Sequence, residues 1–222
     1  MKPKIDYSDM SIRLNLSTSL TTWDGDPSSY VVHVSGTIMF TGGDNSEEAV
    51  GSVQAILCRL GEAMDDGFEW YEVLDSFSET APYMELFEGD DWSDQVQEVC
   101  EPLGNDLLIL DRMEVKERYR GNGFGLMAAN SCRRAFGPGC GVVALKPFPL
   151  QYESKFNPET EAAHDPRAFQ RDKIKLTRYW ARLGFKLLEN ELMVMGTTSK
   201  RPPMSQVLSK SRMPRRKSQK VS

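Results

Sequence analysis

The chain has 222 residues, of which 40% are hydrophobic, so it is long enough for one globular domain with a sizeable core. It contains no run of the ~20 apolar residues that cross a bilayer, and its first residues lack the apolar stretch of a signal peptide. We therefore expect a cytoplasmic protein without membrane contact. The cysteines Cys58, Cys100, Cys132 and Cys140 have no CxxC spacing, which argues against a zinc site and favours free thiols.

Charge divides the chain into a body, 1–199, and a tail, 200–222. The tail has eight Lys or Arg and no acid, which leaves 19 Lys or Arg against 32 Asp or Glu in the body, a net charge of −13. So acidic a body repels nucleic acid, except for weak contact through the tail. We predict a single domain over 1–199 and a disordered basic tail. The tail either has no fixed partner or binds RNA, an acidic partner or the acidic body.

The first half of the body predicts strands followed by short helices. Residues 12–20 alternate apolar and polar side chains, and 30–40 and 49–60 are rich in β-branched and apolar residues. These three strands are expected to form an antiparallel meander. Residues 62–101 are acidic, with aromatic residues at irregular helical spacing, and predict two or three short helices.

The second half predicts a βαβ unit. An apolar strand ends near Val115, three glycines follow, and a helix with an apolar face runs to Phe136 before a second apolar strand. A long polar connection, 147–170, leads to another helix and a closing strand at 191–196. The fold class is α/β or α+β, with helices packed on a mixed sheet.

The glycine stretch RYRGNGFG, residues 118–125, lies between the first of these strands and its helix. Unpaired N–H groups at a helix N-terminus attract phosphate, and the missing Cβ atoms let a ligand approach the backbone. Arg118 and Arg120 add positive charge. The alternative is a tight turn that only needs positive φ angles. A Walker loop is absent, and the dinucleotide fingerprint fails because Leu126 stands where its third glycine belongs.

At this point the chain resembles a known family. MEVKERYRGNGFGLMAA is similar to motif A of the GNAT superfamily of N-acetyltransferases, whose pattern Arg/Gln-x-x-Gly-x-Gly/Ala is filled by Arg120, Gly123 and Gly125. Downstream, TRYWARLGF resembles the family's Tyr-x-x-x-Gly-Phe segment, where the last long helix meets the closing hairpin. The resemblance covers about 107–196.

The resemblance implies a mostly antiparallel central sheet with one near-parallel strand pair that splays apart. It implies acetyl-CoA as acyl donor, with its pyrophosphate on the N–H groups of 120–126, its pantetheine arm on the main chain of the preceding strand, and its thioester in the gap. No metal is expected. The expected cofactor-binding residues are Met113, Val115, Arg118, Arg120, Gly121, Asn122, Gly123, Phe124, Gly125 and Leu126.

A general base is expected on the strand before the glycines. Counting back by strand parity, Asp111 shares a face with Ile109, Met113 and Val115 and falls where some family members carry a catalytic His or Glu. Glu114 faces the other way, unless a bulge shifts the register. The alternative for Asp111 is a structural carboxylate paired with an arginine.

The chain departs from the family pattern at the position of the general acid. The family's tyrosine position holds Trp180, which has no acidic proton and is expected to pack in the core. Tyr179 lies next to it, about 100° away round the helix, so either Tyr179 or Tyr152 substitutes, or the thiolate leaves without protonation.

The expected activity is acetyl-CoA-dependent transfer of an acetyl group to a primary amine of an unidentified acceptor. The acids of 62–101 would attract a cationic acceptor, or they only solvate exposed helices. The connection 147–170 is a second candidate for the acceptor wall or a lid. The alternative function is a non-catalytic CoA-binding sensor or scaffold that binds a partner through the basic tail. Association into a homodimer is left open.

Overall fold

The computed structural model describes residues 10–17, 25–41, 45–157, 162–163, 165–198 and 200–209. Within these residues the chain forms eleven strands and six α-helices. The strands are β1 (Met10–Ser17), β2 (Val31–Thr41), β3 (Glu47–Cys58), β4 (Phe87–Glu88), β5 (Asp91–Trp92), β6 (Asp106–Val115), β7 (Cys140–Leu145), β8 (Phe156–Asn157), β9 (Ala162–Ala163), β10 (Lys186–Leu187) and β11 (Met193–Gly196). The helices are α1 (Leu60–Asp65), α2 (Trp70–Asp75), α3 (Asp94–Cys100), α4 (Phe124–Phe136), α5 (Pro166–Ala181) and α6 (Met204–Ser209).

Seven of the strands form one mixed sheet in the order β1-β2-β3-β6-β7-β11-β10. Neighbouring strands are antiparallel except for β6 and β7, which are parallel and joined through α4. The predicted meander, the βαβ unit and the mixed, mostly antiparallel sheet are therefore confirmed. Strands β4 with β5 and β8 with β9 form two small separate hairpins.

The sheet is buried on both faces. Alternate residues of β6 point to opposite sides, so that Leu107 and Ile109 join a core with α1, α2 and α3, while Leu108 and Leu110 join a core with α4 and α5. The run of apolar residues in β6 thus reflects burial of a central strand on both faces. A smaller cluster at the far end of β2, β3 and β6 contains Tyr119 and Phe124.

The acidic segment contains the three short helices α1, α2 and α3, in agreement with the sequence. Its middle part differs, because Ala81–Leu86 is a 3₁₀ turn and β4 with β5 form a hairpin around Gly89, whose φ is +60°. Aromatic stacking stabilises this hairpin: the ring of Phe87 lies 4.7 Å from that of Trp70 and 4.3 Å from that of Trp92. These helices follow β3, as the sequence order indicated.

Helix α5 begins at Pro166, inside the connection 147–170 expected to precede it. Asp165 caps it by accepting the N–H of Ala168 at 3.1 Å, and proline at the first position suits a helix start. None of the described helices is long and apolar enough to cross a bilayer.

The beginning of the tail departs from the prediction of disorder. Helix α6 forms there because Val207 is buried, with 1% of its surface exposed, in the core beside α4 and α5. Nη2 of Arg182 donates a hydrogen bond to the carbonyl of Val207. One buried apolar side chain and one polar anchor outweigh the basic composition of 200–209. Residues 210–222 lie outside the described residues.

Candidate functional site

The parallel strand pair opens part of the way along its length. Strands β6 and β7 are paired from Asp106 opposite Cys140 to Ile109 opposite Ala144. Beyond that point β6 continues to Val115, whereas β7 ends at Leu145 and is followed within two residues by Pro147. Proline has no N–H to donate to a ladder, so β7 cannot continue beside β6.

A cavity of about 730 Å³ occupies this opening. Its walls come from the free part of β6, the glycine loop, the first turn of α4, the residues after β7 and one side of α5. The lining residues are Leu110, Asp111, Met113, Glu114, Val115, Tyr119, Arg120, Gly121, Gly123, Phe124, Gly125, Leu145, Lys146, Phe148, Pro149, Leu150, Gln151, Asp172, Lys175, Leu176, Tyr179 and Trp180. The volume is in the range of sites for cofactors and drug-sized ligands.

Each glycine of the loop has its own structural reason. Gly121 and Gly123 both have φ of +82°, in the left-handed region that favours glycine. Gly125 lies in the first turn of α4, where a Cβ would stand 2.9 Å from Oη of Tyr179. A turn alone therefore accounts for two of the glycines, and close packing of Tyr179 accounts for the third.

The loop nevertheless leaves backbone donors without acceptors. Within the described chain, no acceptor is bonded to the N–H groups of Gly121, Gly123, Phe124 or Gly125, all of which line the cavity. These groups stand at the N-terminus of α4, a helix of 13 residues. The helix dipole adds positive potential there, so the arrangement suits a phosphate or another anion.

The ends of the expected cradle are engaged elsewhere. The N–H of Arg120 bonds to the carbonyl of Glu117, and the N–H of Leu126 donates to Oη of Tyr179 at 3.1 Å. Leu126 is fully buried and does not line the cavity. The geometry thus restricts the cradle expected over 120–126 to residues 121–125.

The two arginines of the loop differ in position. Arg120 lines the cavity and is exposed, with Nε 2.9 Å from the carbonyl of Val115, and it pairs with no carboxylate in the described chain. Arg118 pairs with Glu48 of β3 and lies outside the cavity lining. Asn122 is also outside the lining, and its Nδ2 donates to the carbonyl of Tyr119 at 2.8 Å.

A β-bulge overturns the parity count along β6. Ile109 is opposite Ile56 and Arg112 is opposite Gln54, so Leu110 and Asp111 together face the single residue Ala55. The extra residue reverses the alternation, which places Met113 and Val115 with the α4 side of the sheet rather than with Ile109. The expectation that Ile109, Asp111, Met113 and Val115 share one face is therefore wrong.

After the bulge, both candidate carboxylates line the cavity. Asp111 and Glu114 are exposed to it, and Nη2 of Arg112 lies 3.4 Å from Oε1 of Glu114. A bulge is one alternative that the sequence allows, and its presence brings Glu114 to the same cavity as Asp111.

The surroundings of Asp111 favour its protonated form. Partial burial raises the pKa of this carboxyl above its usual range, and the negative charge of Glu79 raises it further, although Arg112 and His33 act in the opposite direction. The residue is nevertheless exposed to solvent. A carboxylate with a raised pKa is a stronger base than an ordinary aspartate.

Tyr83 is a hydroxyl group near this carboxylate that the sequence did not single out. It lies in the 3₁₀ turn before β4, is 3% exposed in the core with α1, α2 and α3, and does not line the cavity. Burial raises its pKa and the charge of Asp111 raises it further, while the backbone N–H of Lys146 acts in the opposite direction. No local pattern could have predicted this position, because Tyr83 is far in sequence from Asp111 and Lys146.

Tyr179 and Trp180 occupy different environments, as expected from their angle round α5. Trp180 is 8% exposed and packs in the core next to Phe185. Tyr179 extends to the first turn of α4, where burial raises its pKa and its hydroxyl accepts the N–H of Leu126. The hydroxyl of Tyr179 therefore contacts the glycine loop, and Tyr179 lines the cavity, whereas Tyr83 does not.

The connection after β7 is attached to two elements of the site. Both oxygens of Glu153 accept from Arg112 of β6, at 2.7 and 2.6 Å, and this pair lowers the pKa of Glu153. Oη of Tyr152 donates to Asp172 of α5 at 2.9 Å. Tyr152 is thus held by α5 and does not line the cavity.

Two further observations concern the identity of the chain and of its site. No protein-family model matches the chain, and no curated protein matches it significantly. Within the described residues, no three His, Cys, Asp or Glu side chains are grouped so that they could hold a metal ion.

Proposed function

We propose that the chain is an acetyl-CoA-dependent N-acetyltransferase with a GNAT-like fold, acting on a primary amine. The observation that carries the proposal is that an opened parallel strand pair and a glycine loop with unpaired N–H groups line one cavity. The loop alone is compatible with many anions. Its combination with a gap between two strands suits a ligand that has a diphosphate at one end and a reactive acyl group at the other.

The donor is assigned to the loop side of the cavity. The N–H groups of Gly121, Gly123, Phe124 and Gly125 and the guanidinium of Arg120 would hold the pyrophosphate, since charge-assisted hydrogen bonds of this kind contribute about 1.5–3 kcal/mol each. Beyond Ile109, the edge of β6 away from β3 is not paired with β7. It therefore offers its main-chain groups around Met113 and Val115 to the amide groups of a pantetheine arm.

Transfer requires a neutral amine nitrogen that attacks the thioester carbonyl. A C–N bond forms, the C–S bond breaks, and the nitrogen loses a proton to a base. Asp111 is our candidate for that base, directly or through a water molecule, because it lines the cavity and its pKa is raised. Glu114 is the second candidate by position.

Two tyrosine hydroxyl groups are candidates for the proton donor to the departing thiolate. Tyr179 was the candidate from the sequence, and its hydroxyl lies against the first turn of α4. Tyr83 lies near Asp111 but is 3% exposed and does not line the cavity. Tyr179 does line the cavity, and we therefore favour Tyr179 as the proton donor, while its hydroxyl also supports the glycine loop.

The acceptor is proposed to be cationic. Between Leu60 and Asp111 the chain has 16 Asp or Glu and no Lys or Arg, and Asp111 itself reaches the cavity. Negative potential along its route would attract a protonated amine, and Asp111 would then remove the proton. The alternative function, a CoA-binding sensor or scaffold, has no transfer and binds a partner through the basic tail.

Calorimetry with CoA and thiol release from acetyl-CoA with a panel of amines test the proposal. The glycines provide a matched pair, because Gly121 and Gly67 both have positive φ and open space around the missing Cβ, but only Gly121 lines the cavity. Gly121→Val and Gly67→Val should destabilise the fold to a similar extent, about 1–2 kcal/mol, and only Gly121→Val should weaken CoA binding.

The outcomes separate the two functions. CoA binding together with thiol release supports the transferase, whereas CoA binding without release for any amine supports the sensor. Absence of CoA binding by the folded wild-type protein contradicts both.

A further inference from the structure

The second half of α4 carries a buried arginine without a partner. Arg133 is 8% exposed, its Nε has no hydrogen-bond partner, and no carboxylate pairs with it in the described chain. A buried charge without a counter-charge is costly, so proteins normally supply a partner. An arginine in this state indicates that a group of opposite charge is missing.

Two more arginines meet Arg133 at the same place. Arg133 and Arg134 lie three and four residues after Asn130 in α4, so each neighbours Asn130 on the helix surface. Nη1 of Arg201, from the segment before α6, donates to Oδ1 of Asn130 at 2.9 Å. The charges of Arg201 and Arg134, together with burial as the main cause, lower the pKa of Arg133 to about 10.

This arginine cluster, Arg133, Arg134 and Arg201, is separate from the cavity. None of the three lines it, and Arg133 lies about 15 Å along α4 from Gly123 at 1.5 Å per residue. The C-terminal end of a helix does attract cations, but Arg133 and Arg134 already provide two there. The third guanidinium, brought by a different segment, adds repulsion that the helix dipole does not explain.

We propose that the arginine cluster is a binding site for a phosphate group. Guanidinium groups present several N–H donors in a planar fork that matches phosphate oxygens, and three of them from two segments can surround one such group. Arg134 is exposed and Arg201 partly exposed, so the site is accessible from solvent. The acidic body disfavours a nucleic acid, and the phosphate is therefore assigned to a small molecule. This site does not depend on the proposed acetyl transfer.

Thermal melting of the full chain in sodium phosphate, compared with sodium chloride at equal ionic strength, tests the site. At a phosphate concentration of about ten times Kd, the melting temperature of the wild-type protein should rise by about 3–6 °C. Arg133→Met should lose most of this increase. Phosphate bound at the glycine loop contributes equally to both proteins, so the difference between them reports the arginine cluster alone.

Three further measurements complete the test. Arg201→Gln, at a partly exposed position, should also lose part of the increase, and it serves if Arg133→Met does not fold. Arg59→Met removes an exposed arginine remote from the cluster and should keep the whole increase. A labelled single-stranded DNA of 12 nucleotides should bind equally well to wild type and to Arg133→Met. Weaker binding to Arg133→Met would assign the phosphate to a nucleic acid and contradict the small-molecule site. Equal increases in wild type, Arg133→Met and Arg201→Gln would overturn the site.

Discussion

The helices on the two faces of the sheet have opposite charge. Helices α1, α2 and α3 carry six acids and no Lys or Arg, whereas α4 and α5 carry seven Lys or Arg and one acid. The acids are Glu62, Asp65, Glu72, Asp75, Asp94 and Glu98, and the basic residues are Arg133, Arg134, Arg167, Arg171, Lys173, Lys175 and Arg178.

The two cores beneath these helices are similar in kind, so the difference in charge is not required for folding. This difference gives one face of the sheet a negative and the other a positive charge. The cavity lies where the parallel strands separate. An anionic ligand is favoured on one side of this opening and a cationic one on the other. This arrangement would favour the proposed acyl transfer from a phosphate-bearing donor to a protonated amine.

The largest effect is expected for Asp111→Asn on the acidic side. If Asp111 is the base, kcat for acetyl transfer should fall by about 10²–10⁴-fold, while calorimetry should find CoA affinity unchanged. Because the pKa of Asp111 is raised, the acid limb of the wild-type pH–rate profile should lie above the usual aspartate range.

Stability provides an independent readout for the same variant. A carboxyl group whose pKa is higher in the folded state stabilises the folded protein at low pH. This contribution is lost as pH rises from the unfolded pKa through the folded pKa. Asp111→Asn should therefore melt slightly higher than wild type at neutral pH and show no difference at pH well below 3.8, the ordinary value. A lower melting temperature at pH 7 would contradict the direction of the shift.

A smaller effect, confined to the donor, is expected for Arg120→Gln on the basic side. Loss of one charge-assisted contact should weaken CoA binding about 10–100-fold, with little change in kcat at saturating acetyl-CoA. Arg118→Gln is the matched control, because Arg118 pairs with Glu48 outside the cavity and should leave the affinity near that of wild type. Equal losses in both variants would mean that only general charge matters.

The two tyrosines test which face supplies the proton donor. Tyr179→Phe should lower kcat by about tenfold or more and cost about 1 kcal/mol of stability, because the N–H of Leu126 loses its acceptor. Tyr83→Phe should leave kcat near that of wild type, because Tyr83 does not line the cavity. The reverse pattern in kcat would assign the role of proton donor to Tyr83.

The smallest effect is expected for Glu153→Gln. The pair with Arg112 is half exposed, and such pairs contribute about 0–1 kcal/mol. Its loss should release the connection after β7 and change KM for the amine by less than about threefold, with CoA affinity unaltered. A change in CoA affinity instead would place this connection on the donor side.

The sequence predicted the central elements because their signals are local. The apolar run of β6, the glycines and the periodicity from Leu126 to Phe136 each follow from neighbouring residues, and the structure places these elements within a residue or two of expectation. The glycine-lined cavity could be predicted for the same reason.

What the sequence could not predict depends on distant contacts. The bulge at Leu110 and Asp111 is set by pairing with Ala55 of β3, and the amino-acid sequence of β6 contains no signal for an extra residue. The position of Tyr83 depends on burial in the core with α1, α2 and α3, and helix α6 depends on burial of Val207 against a remote core. In each case a non-local partner decided the outcome over local composition.

The bulge also bears on how this strand can change. Before the bulge, odd-numbered residues of β6 face the acidic helices, and after it they face α4. Removing either Leu110 or Asp111 would therefore move the side chains of Met113 and Glu114 to the opposite faces of the sheet. A one-residue deletion here would turn Met113 toward the side of the acidic helices and Glu114 toward the side of α4. Length at this point is therefore under a stricter constraint than residue identity, and a library that varies both should retain only variants of unchanged length.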